Sequence, residues 1–167
     1  MTAPTTALDH PRTATGSSTP VVVLDTNVVL DWLLFEDGSC AGLARRLHSG
    51  QVRWHATESM RNELAGVLRR RQLQHWSPNR EHILSTFELL AVVQPMPLCA
   101  AESIPKLRCR DPDDQKFIDL AVAVEAKWLF SKDRALLDLA RAARAIGIEV
   151  LTPAQWQRTT MTPHGET

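Results

Sequence analysis

Hydrophobic and polar positions along the chain predict short strands separated by helices. Val21-Val22-Val23-Leu24 is a continuous, mostly β-branched apolar run, as expected of a central strand that is covered on both faces. Three further segments predict strands at residues 52–55, 128–131 and 148–151. Each is bounded by polar or glycine-containing segments, so the strands are expected to be short.

Helical spacing fills the intervals between these strands. Apolar positions, capping residues and prolines predict helices at residues 27–35, 40–48, 57–70, 78–92, 111–126 and 134–146. Asn27 and Thr57 are the expected N-caps of the first and third helices, and Gly147 ends the last one. The alternation predicts an α/β fold with a central parallel sheet of four to five strands flanked by helices.

Length and composition predict one folded domain with two unstructured ends. The chain has 167 residues, 44% of them hydrophobic, which suits a single core. Residues 1–19 are rich in Thr, Ser and Pro and have little to bury, so they are expected to form a disordered leader. Residues 158–167 are expected to be a disordered tail, leaving residues 20–157 as the domain.

Charge and cysteine content exclude several classes of protein. The formal net charge is zero, so attraction to a polyanion must come from local arginine clusters. The three cysteines form no CxxC pair and leave one thiol over, which argues against a disulfide framework and against a zinc site. No apolar run reaches the roughly 18 residues of a membrane span, and no signal peptide is evident. A cytoplasmic protein without a membrane segment is expected.

Two aspartates are expected at the edge of the sheet where ligands bind. Asp25 directly follows the first strand and Asp133 follows the strand at residues 128–131, and parallel sheets bind ligands at the carboxyl ends of their strands. Asp133 is equally explained as the N-cap of the following helix. For Asp25 capping is the weaker explanation, because Asn27 is better placed to cap.

A third carboxylate, Asp114, is expected near the same edge. At about 100° per residue it falls on the apolar face with Phe117 and Ile118, where a carboxylate would be partly desolvated. Such a charge is costly unless it is paired or bound to a metal. Glu63 lies at the edge of the apolar face of its helix, and its position alone is typical of a surface residue.

Clustered carboxylates point to a divalent cation. Oxygen ligands without a His or Cys motif indicate a hard ion, Mg²⁺ or Mn²⁺. Such an ion activates water and stabilises the leaving oxygen of a phosphodiester. Hydrolysis of a nucleic-acid backbone is therefore the expected chemistry.

Four segments together resemble the successive motifs of PIN domains over about residues 21–156. The segments are Val-Leu-Asp25-Thr-Asn27-Val-Val-Leu, Met60-Arg-Asn-Glu63-Leu, Asp111-Pro-Asp-Asp114-Gln-Lys-Phe-Ile-Asp-Leu-Ala121, and Leu-Phe-Ser131-Lys-Asp133-Arg-Ala-Leu-Leu137. The sequence is most similar to the bacterial PIN group of toxin components of toxin-antitoxin systems, of the VapC type.

The resemblance implies a PIN-like three-layer fold and a Mg²⁺- or Mn²⁺-dependent endoribonuclease. It also implies an RNA substrate, a cognate antitoxin partner and a homodimer. The four acids that it assigns both to catalysis and to the metal are Asp25, Glu63, Asp114 and Asp133. It assigns Asn27 and Ser131 as polar residues that support these acids or their waters.

One position departs from the family pattern, and one rival function stays open. Lys132 stands where the family commonly has Gly, and with Arg134 it is a candidate contact for RNA phosphates. A haloacid-dehalogenase-like phosphatase needs an aspartate at position 27, and a receiver domain needs an acidic pair that is absent here. A PIN-like fold that has lost catalysis and serves as an RNA-binding or interaction module remains the alternative. Retention of four mutually repelling acids favours the enzyme.

Overall fold

A five-stranded parallel sheet forms the centre of the protein. The computed structural model describes residues 18–96 and 107–161. The strands are β1 (Val21–Leu24), β2 (Arg53–Thr57), β3 (Ala91–Gln94), β4 (Trp128–Phe130) and β5 (Glu149–Leu151). Their spatial order is β3-β2-β1-β4-β5, and every neighbouring pair is parallel. The predicted α/β fold with a parallel sheet of four to five strands is confirmed.

The apolar run of β1 is explained by its central position. Val22 and Val23 are fully buried, and β1 pairs with β2 on one side and with β4 on the other. A strand covered on both faces has no solvent-facing side, which is why no polar residue alternates with the valines.

Eight α-helices flank the sheet in the described residues. They are α1 (Thr26–Leu33), α2 (Ala41–His48), α3 (Glu58–Val67), α4 (Arg80–Leu90), α5 (Gln115–Ala123), α6 (Arg134–Leu137), α7 (Ala140–Arg144) and α8 (Pro153–Met161). Thr57 caps α3 as predicted, its hydroxyl accepting a hydrogen bond from the Met60 N–H at 3.4 Å. In the described part of the chain, no helix has the length and apolar character needed to cross a bilayer.

Three predicted helix boundaries were wrong for local reasons. Asp25 rather than Asn27 caps α1, because its carboxylate accepts the Asn27 N–H at 3.2 Å. The helix expected from residue 111 begins only at Gln115, since the Asp111 carboxylate accepts the Asp113 N–H at 2.9 Å and closes a turn instead. The single helix expected over residues 134–146 is divided into α6 and α7 around Leu139.

Strand β3 was assigned wrongly as the end of a helix. The backbone changes to an extended conformation at Ala91, so α4 ends there and β3 begins without an intervening turn. The strand pairs only with β2 and forms one edge of the sheet, where Val92 and Val93 are exposed. A strand that directly follows a helix leaves no turn signal in the sequence.

The last helix extends into the expected C-terminal tail. Trp156 is 3% exposed and packs edge-on against the rings of Trp128 and Phe130, which holds α8 to the sheet. Residues 158–161 are therefore helical. The rest of the expected tail, and the expected leader up to residue 17, lie outside the described residues.

Candidate active site

The strand order creates a crevice at the carboxyl ends of β1 and β4. From β1 the chain proceeds to β2 and β3 on one side of the sheet, and later to β4 and β5 on the other. The segments that follow β1 and β4 therefore diverge, and ligands of open α/β sheets bind at such a point. Asp25 directly follows β1, and its N–H donates to the Phe130 carbonyl at the end of β4 (3.0 Å).

Asp25 is a buried carboxylate at this crevice. It is 2% exposed, and it accepts hydrogen bonds from the Ser131 hydroxyl (2.7 Å) and from the Asn27 N–H (3.2 Å). Burial raises the pKa of Asp25, and the charges of Asp133 and Glu63 raise it further, against the lowering effect of the two hydrogen bonds. The ionised form of Asp25 is therefore destabilised at this position.

Ser131 links two of the predicted acids. Its fully buried hydroxyl donates to Asp25 and accepts the Asp133 N–H at 2.9 Å. The Asp133 carboxylate in turn caps α6 through the Ala135 N–H (2.6 Å). Asn27, the other predicted supporting residue, contacts Asp25 through its backbone N–H, while its side chain is exposed.

Asp114 lies immediately before α5, within electrostatic range of Asp25 and Asp133. Its side chain is partly buried, although it precedes the helix instead of lying on its apolar face. Desolvation, followed by the charges of Asp25, Asp133 and Asp111, raises the pKa of Asp114 to about 6.

Glu63 projects from α3 with both oxygens engaged. The Thr26 hydroxyl donates to Oε1 at 2.8 Å, and the Lys116 ammonium forms an ion pair with Oε2 at 2.5 Å. The side chain is 33% exposed. Sequence reasoning missed both partners, although Lys116 lies within the Asp114-Gln-Lys-Phe segment that carries the third acid.

The four predicted acids share one electrostatic environment, and we call Asp25, Glu63, Asp114 and Asp133 the acidic cluster. Asp133 and Glu63 act on Asp25, and Asp25 and Asp133 act on Asp114. In residues 18–96 and 107–161, however, no three His, Cys, Asp or Glu side chains stand close enough to hold one metal ion as they are. The all-oxygen donor set and its mutual repulsion suit a hard divalent cation, and coordination requires side-chain movement.

Lys132, predicted as a candidate phosphate contact, is paired with two carboxylates. Its ammonium forms ion pairs with Asp31 at 2.7 Å and with Asp37 at 2.9 Å, and we call these three residues the paired cluster. Hydrogen bonds to Asp31 and Asp37 raise the pKa of Lys132, and the hydrogen bond from Lys132 lowers the pKa of Asp37 to about 2. The lysine at the position where glycine is common therefore joins α1 to the loop after β4.

An open cleft of about 420 Å³ adjoins Asp133. Its lining residues are Arg110, Asp111, Pro112, Asp133, Arg134 and Ala135. The guanidinium groups of Arg110 and Arg134 are exposed and both reach Asp138, at 3.7 and 3.1 Å. The cleft thus places two cations beside an acid of the acidic cluster.

Gln115 fixes the chain segment that leads to Asp114. Its side-chain oxygen accepts the Cys109 N–H at 2.7 Å, and its amide nitrogen donates to the Leu107 carbonyl and to Asp119, both at 2.8 Å. The segment that resumes at Leu107 is therefore held against the start of α5.

Comparisons with known proteins agree with this architecture. The family described as PIN domain matches residues 21–135, and the chain therefore belongs to the PIN-domain family. Among solved structures it is similar to VapBC2 from Rickettsia felis bound to a DNA fragment from their promoter. That likeness has a TM-score of 0.50 and 13% identity and covers 78% of this chain and 96% of the other, which supports the fold alone. No curated protein matches the chain.

Proposed function

We propose that this protein is a divalent-metal-dependent endoribonuclease that acts as the toxin of a type II toxin-antitoxin system. The observation that carries the proposal is the electrostatic interaction among four carboxylates that come from separate segments around the carboxyl ends of β1 and β4. Burial, followed by repulsion from the neighbouring carboxylates, raises the pKa of Asp25 and of Asp114, and a bound cation would relieve that repulsion. Perturbed carboxylates in a cleft are typical of a catalytic site.

Each residue of the site has a definite part in this proposal. Asp25, Glu63, Asp114 and Asp133 would hold Mg²⁺ or Mn²⁺. The bound ion would supply Lewis acidity for the attack of water on a phosphodiester. Ser131 keeps Asp25 and the backbone of Asp133 in fixed relative positions, through its two hydrogen bonds.

Substrate binding is assigned to the arginines of the cleft. Arg134 was predicted as a phosphate contact, and Arg110 lies beside it in the same cleft. Exposed guanidinium groups bind the phosphates of a single-stranded RNA without regard to sequence. Lys132 is left out of this set because two carboxylates already neutralise its charge.

The partners follow from the resemblance and from the structural neighbour. The Rickettsia felis structure is described as VapBC2 bound to a DNA fragment from their promoter. A cognate antitoxin and a homodimer are the corresponding expectations for this chain, with RNA in the cytoplasm as the substrate. Copurification of the chain with the product of the adjacent gene tests the antitoxin, and a chain that elutes alone counts against it.

A non-catalytic RNA-binding module is the second candidate, and one observation favours it. Both oxygens of Glu63 are engaged by Lys116 and Thr26, and no ready-made ligand set stands in the described residues. A binding module, however, gains nothing from a buried Asp25 beside three further acids, so the nuclease remains the better explanation.

Cleavage of a labelled RNA pool in Mn²⁺ separates the two functions. Wild type should cleave the RNA, and Asp25→Asn and Asp114→Asn should each reduce the cleavage rate by at least about 100-fold. Both general acid–base catalysis and metal ligation need the carboxylate that these changes remove. Asp37→Asn is the matched control, since it changes the same group in the paired cluster and should keep activity. Equal cleavage by all four proteins, or none by wild type with RNA still bound, would establish the binding module.

A further inference from the structure

Lys116 places a positive charge directly on one member of the acidic cluster. Its ammonium lies 2.5 Å from Glu63 Oε2, and it also contacts the Asp113 carbonyl. The ammonium lies 4.9 Å from the centre of the Phe117 ring, and the side chain is only 21% exposed. Three separate contacts therefore hold the ammonium in place, which a freely rotating surface lysine does not have.

The ion pair changes what Glu63 can do. Its other oxygen accepts from the Thr26 hydroxyl, so both carboxylate oxygens are bonded by donors from the chain itself. An ammonium and a divalent cation on the same carboxylate would repel each other even at the dielectric constant of water. Glu63 therefore cannot bind the Lys116 ammonium and a divalent cation together without weakening one of the two interactions.

We infer that Lys116 is an internal counter-ion of the metal site. Its ammonium pairs with Glu63 in the metal-free protein, and this ion pair breaks when a divalent ion binds to Glu63. The inference rests on the proposed metal site and makes Lys116 a positioning residue that weakens metal affinity.

The direction in which metal affinity changes when Lys116 loses its charge separates this role from a purely structural one. If Lys116 competes with the metal, removing its charge strengthens metal binding, since the repulsion disappears and Glu63 is released. If Lys116 only holds Glu63 in a productive orientation, removing it leaves metal binding unchanged or weaker. A loss of RNA cleavage would not distinguish these cases.

The test is Mn²⁺ binding, measured at constant pH by titration calorimetry and by the electron paramagnetic resonance signal of free Mn²⁺. Lys116→Met should bind Mn²⁺ about tenfold more tightly than wild type. Lys116→Arg keeps the charge and should bind Mn²⁺ within about threefold of wild type. Lys132→Met is the matched control from the paired cluster and should leave affinity unchanged.

Thermal unfolding supplies a second readout. In EDTA, Lys116→Met should unfold at a lower temperature than wild type because the acidic cluster has lost its counter-ion, and Mn²⁺ should raise its Tm more than that of wild type. In Glu63→Gln the additional Lys116→Met change should no longer tighten binding.

The outcomes distinguish this inference from the proposed function. Equal or weaker Mn²⁺ binding by folded Lys116→Met overturns the counter-ion role and leaves the nuclease standing. Tighter binding by Lys116→Met together with no RNA cleavage by wild type supports the counter-ion and overturns the nuclease. Absence of Mn²⁺ binding in every variant overturns both.

Discussion

Two lysine-carboxylate clusters share the loop after β4, and their electrostatics are opposite. In the paired cluster, Lys132 lies between Asp31 and Asp37, and the pKa of Asp37 falls to about 2. In the acidic cluster, Lys116 contacts one of four acids, and the pKa of Asp114 rises to about 6. The first arrangement stabilises its charges, whereas the second leaves an excess of negative charge among the residues that the structure describes.

The difference lies in burial and in the ratio of charges. Asp37 is solvated and receives its hydrogen bonds from Lys132 and Ser39, so ionisation is favoured. Asp25 is buried beside other acids, and desolvation is the largest influence on its pKa. A fold that keeps such a group accepts a cost in stability, which is typical of functional sites. The comparison therefore favours a binding role for the acidic cluster and a structural role for the paired cluster.

Asp133→Asn should give the largest effect and would sharpen the comparison most. Asparagine can still cap α6, so the fold is retained, but the loss of charge should lower Mn²⁺-dependent RNA cleavage by at least about 100-fold. Asp31→Asn makes the same change in the paired cluster and should stay within about threefold of wild type. Initial rates and Tm values measure both, and similar losses in the two variants would abolish the distinction.

Ser131→Ala should have the next largest effect. The buried Asp25 and the Asp133 N–H both lose their hydrogen-bond partner, so we expect Mn²⁺ affinity to fall about 10-fold to 100-fold. Stability should fall by about 1–3 kcal/mol in denaturant titrations. Ser39→Ala, beside Asp37, is the control and should keep Mn²⁺ affinity. Wild-type affinity in Ser131→Ala would show that the hydroxyl does not organise the acids.

Stability should respond to pH in opposite directions in the two clusters. Because the pKa of Asp114 is raised in the folded state, the folded protein binds more protons between its ordinary pKa and about 6. In EDTA, wild type should therefore lose stability relative to Asp114→Asn as pH rises through that window. After allowance for solvent screening, the loss should be about 1 kcal/mol.

For Asp37 the sign is reversed. Its pKa is lowered, so its contribution is present above its ordinary pKa of 3.8 and is lost as pH falls towards about 2. Wild type should approach the stability of Asp37→Asn over that acidic range. Denaturant titrations at several pH values measure both variants, and parallel pH profiles for the two would contradict the assignment.

Lys132→Met should have the smallest effect. The pair with Asp37 is exposed and the pair with Asp31 is partly buried, so we expect a loss of at most about 1 kcal/mol that shrinks further at high salt. RNA cleavage should stay within about threefold of wild type, since Lys132 is turned to Asp31 and Asp37. A large loss of cleavage at unchanged Tm would return Lys132 to the site as a phosphate contact.

Much of the fold was predictable because it rests on local patterns. Continuous apolar runs identified β1 and β4, and the alternation with helices gave a parallel sheet. Strand β3 was missed because it begins where α4 ends, and α8 because its polar residues conceal the contact that Trp156 makes with the sheet.

In the candidate site, the sequence predicted where Asp25 and Asp133 lie, but it did not predict which side chains the acids contact. Asp25 and Asp133 follow strands, and the order of the sheet dictates that they meet. The pairing of Lys116 with Glu63, and of Lys132 with Asp31 and Asp37, joins side chains far apart in the sequence. Such contacts depend on how helices pack, which no local pattern records.

The hydrogen bonds that Gln115 makes to Leu107 and Cys109 have a practical consequence for protein engineering. Because Leu107 and Cys109 are tied to the start of α5, we expect Asp114 to keep its place when the chain before Leu107 is lengthened. A reporter peptide inserted there should leave the third acid undisturbed. Replacing Gln115 would remove these hydrogen bonds, and the same insertion would then alter the position of the Asp114 carboxylate.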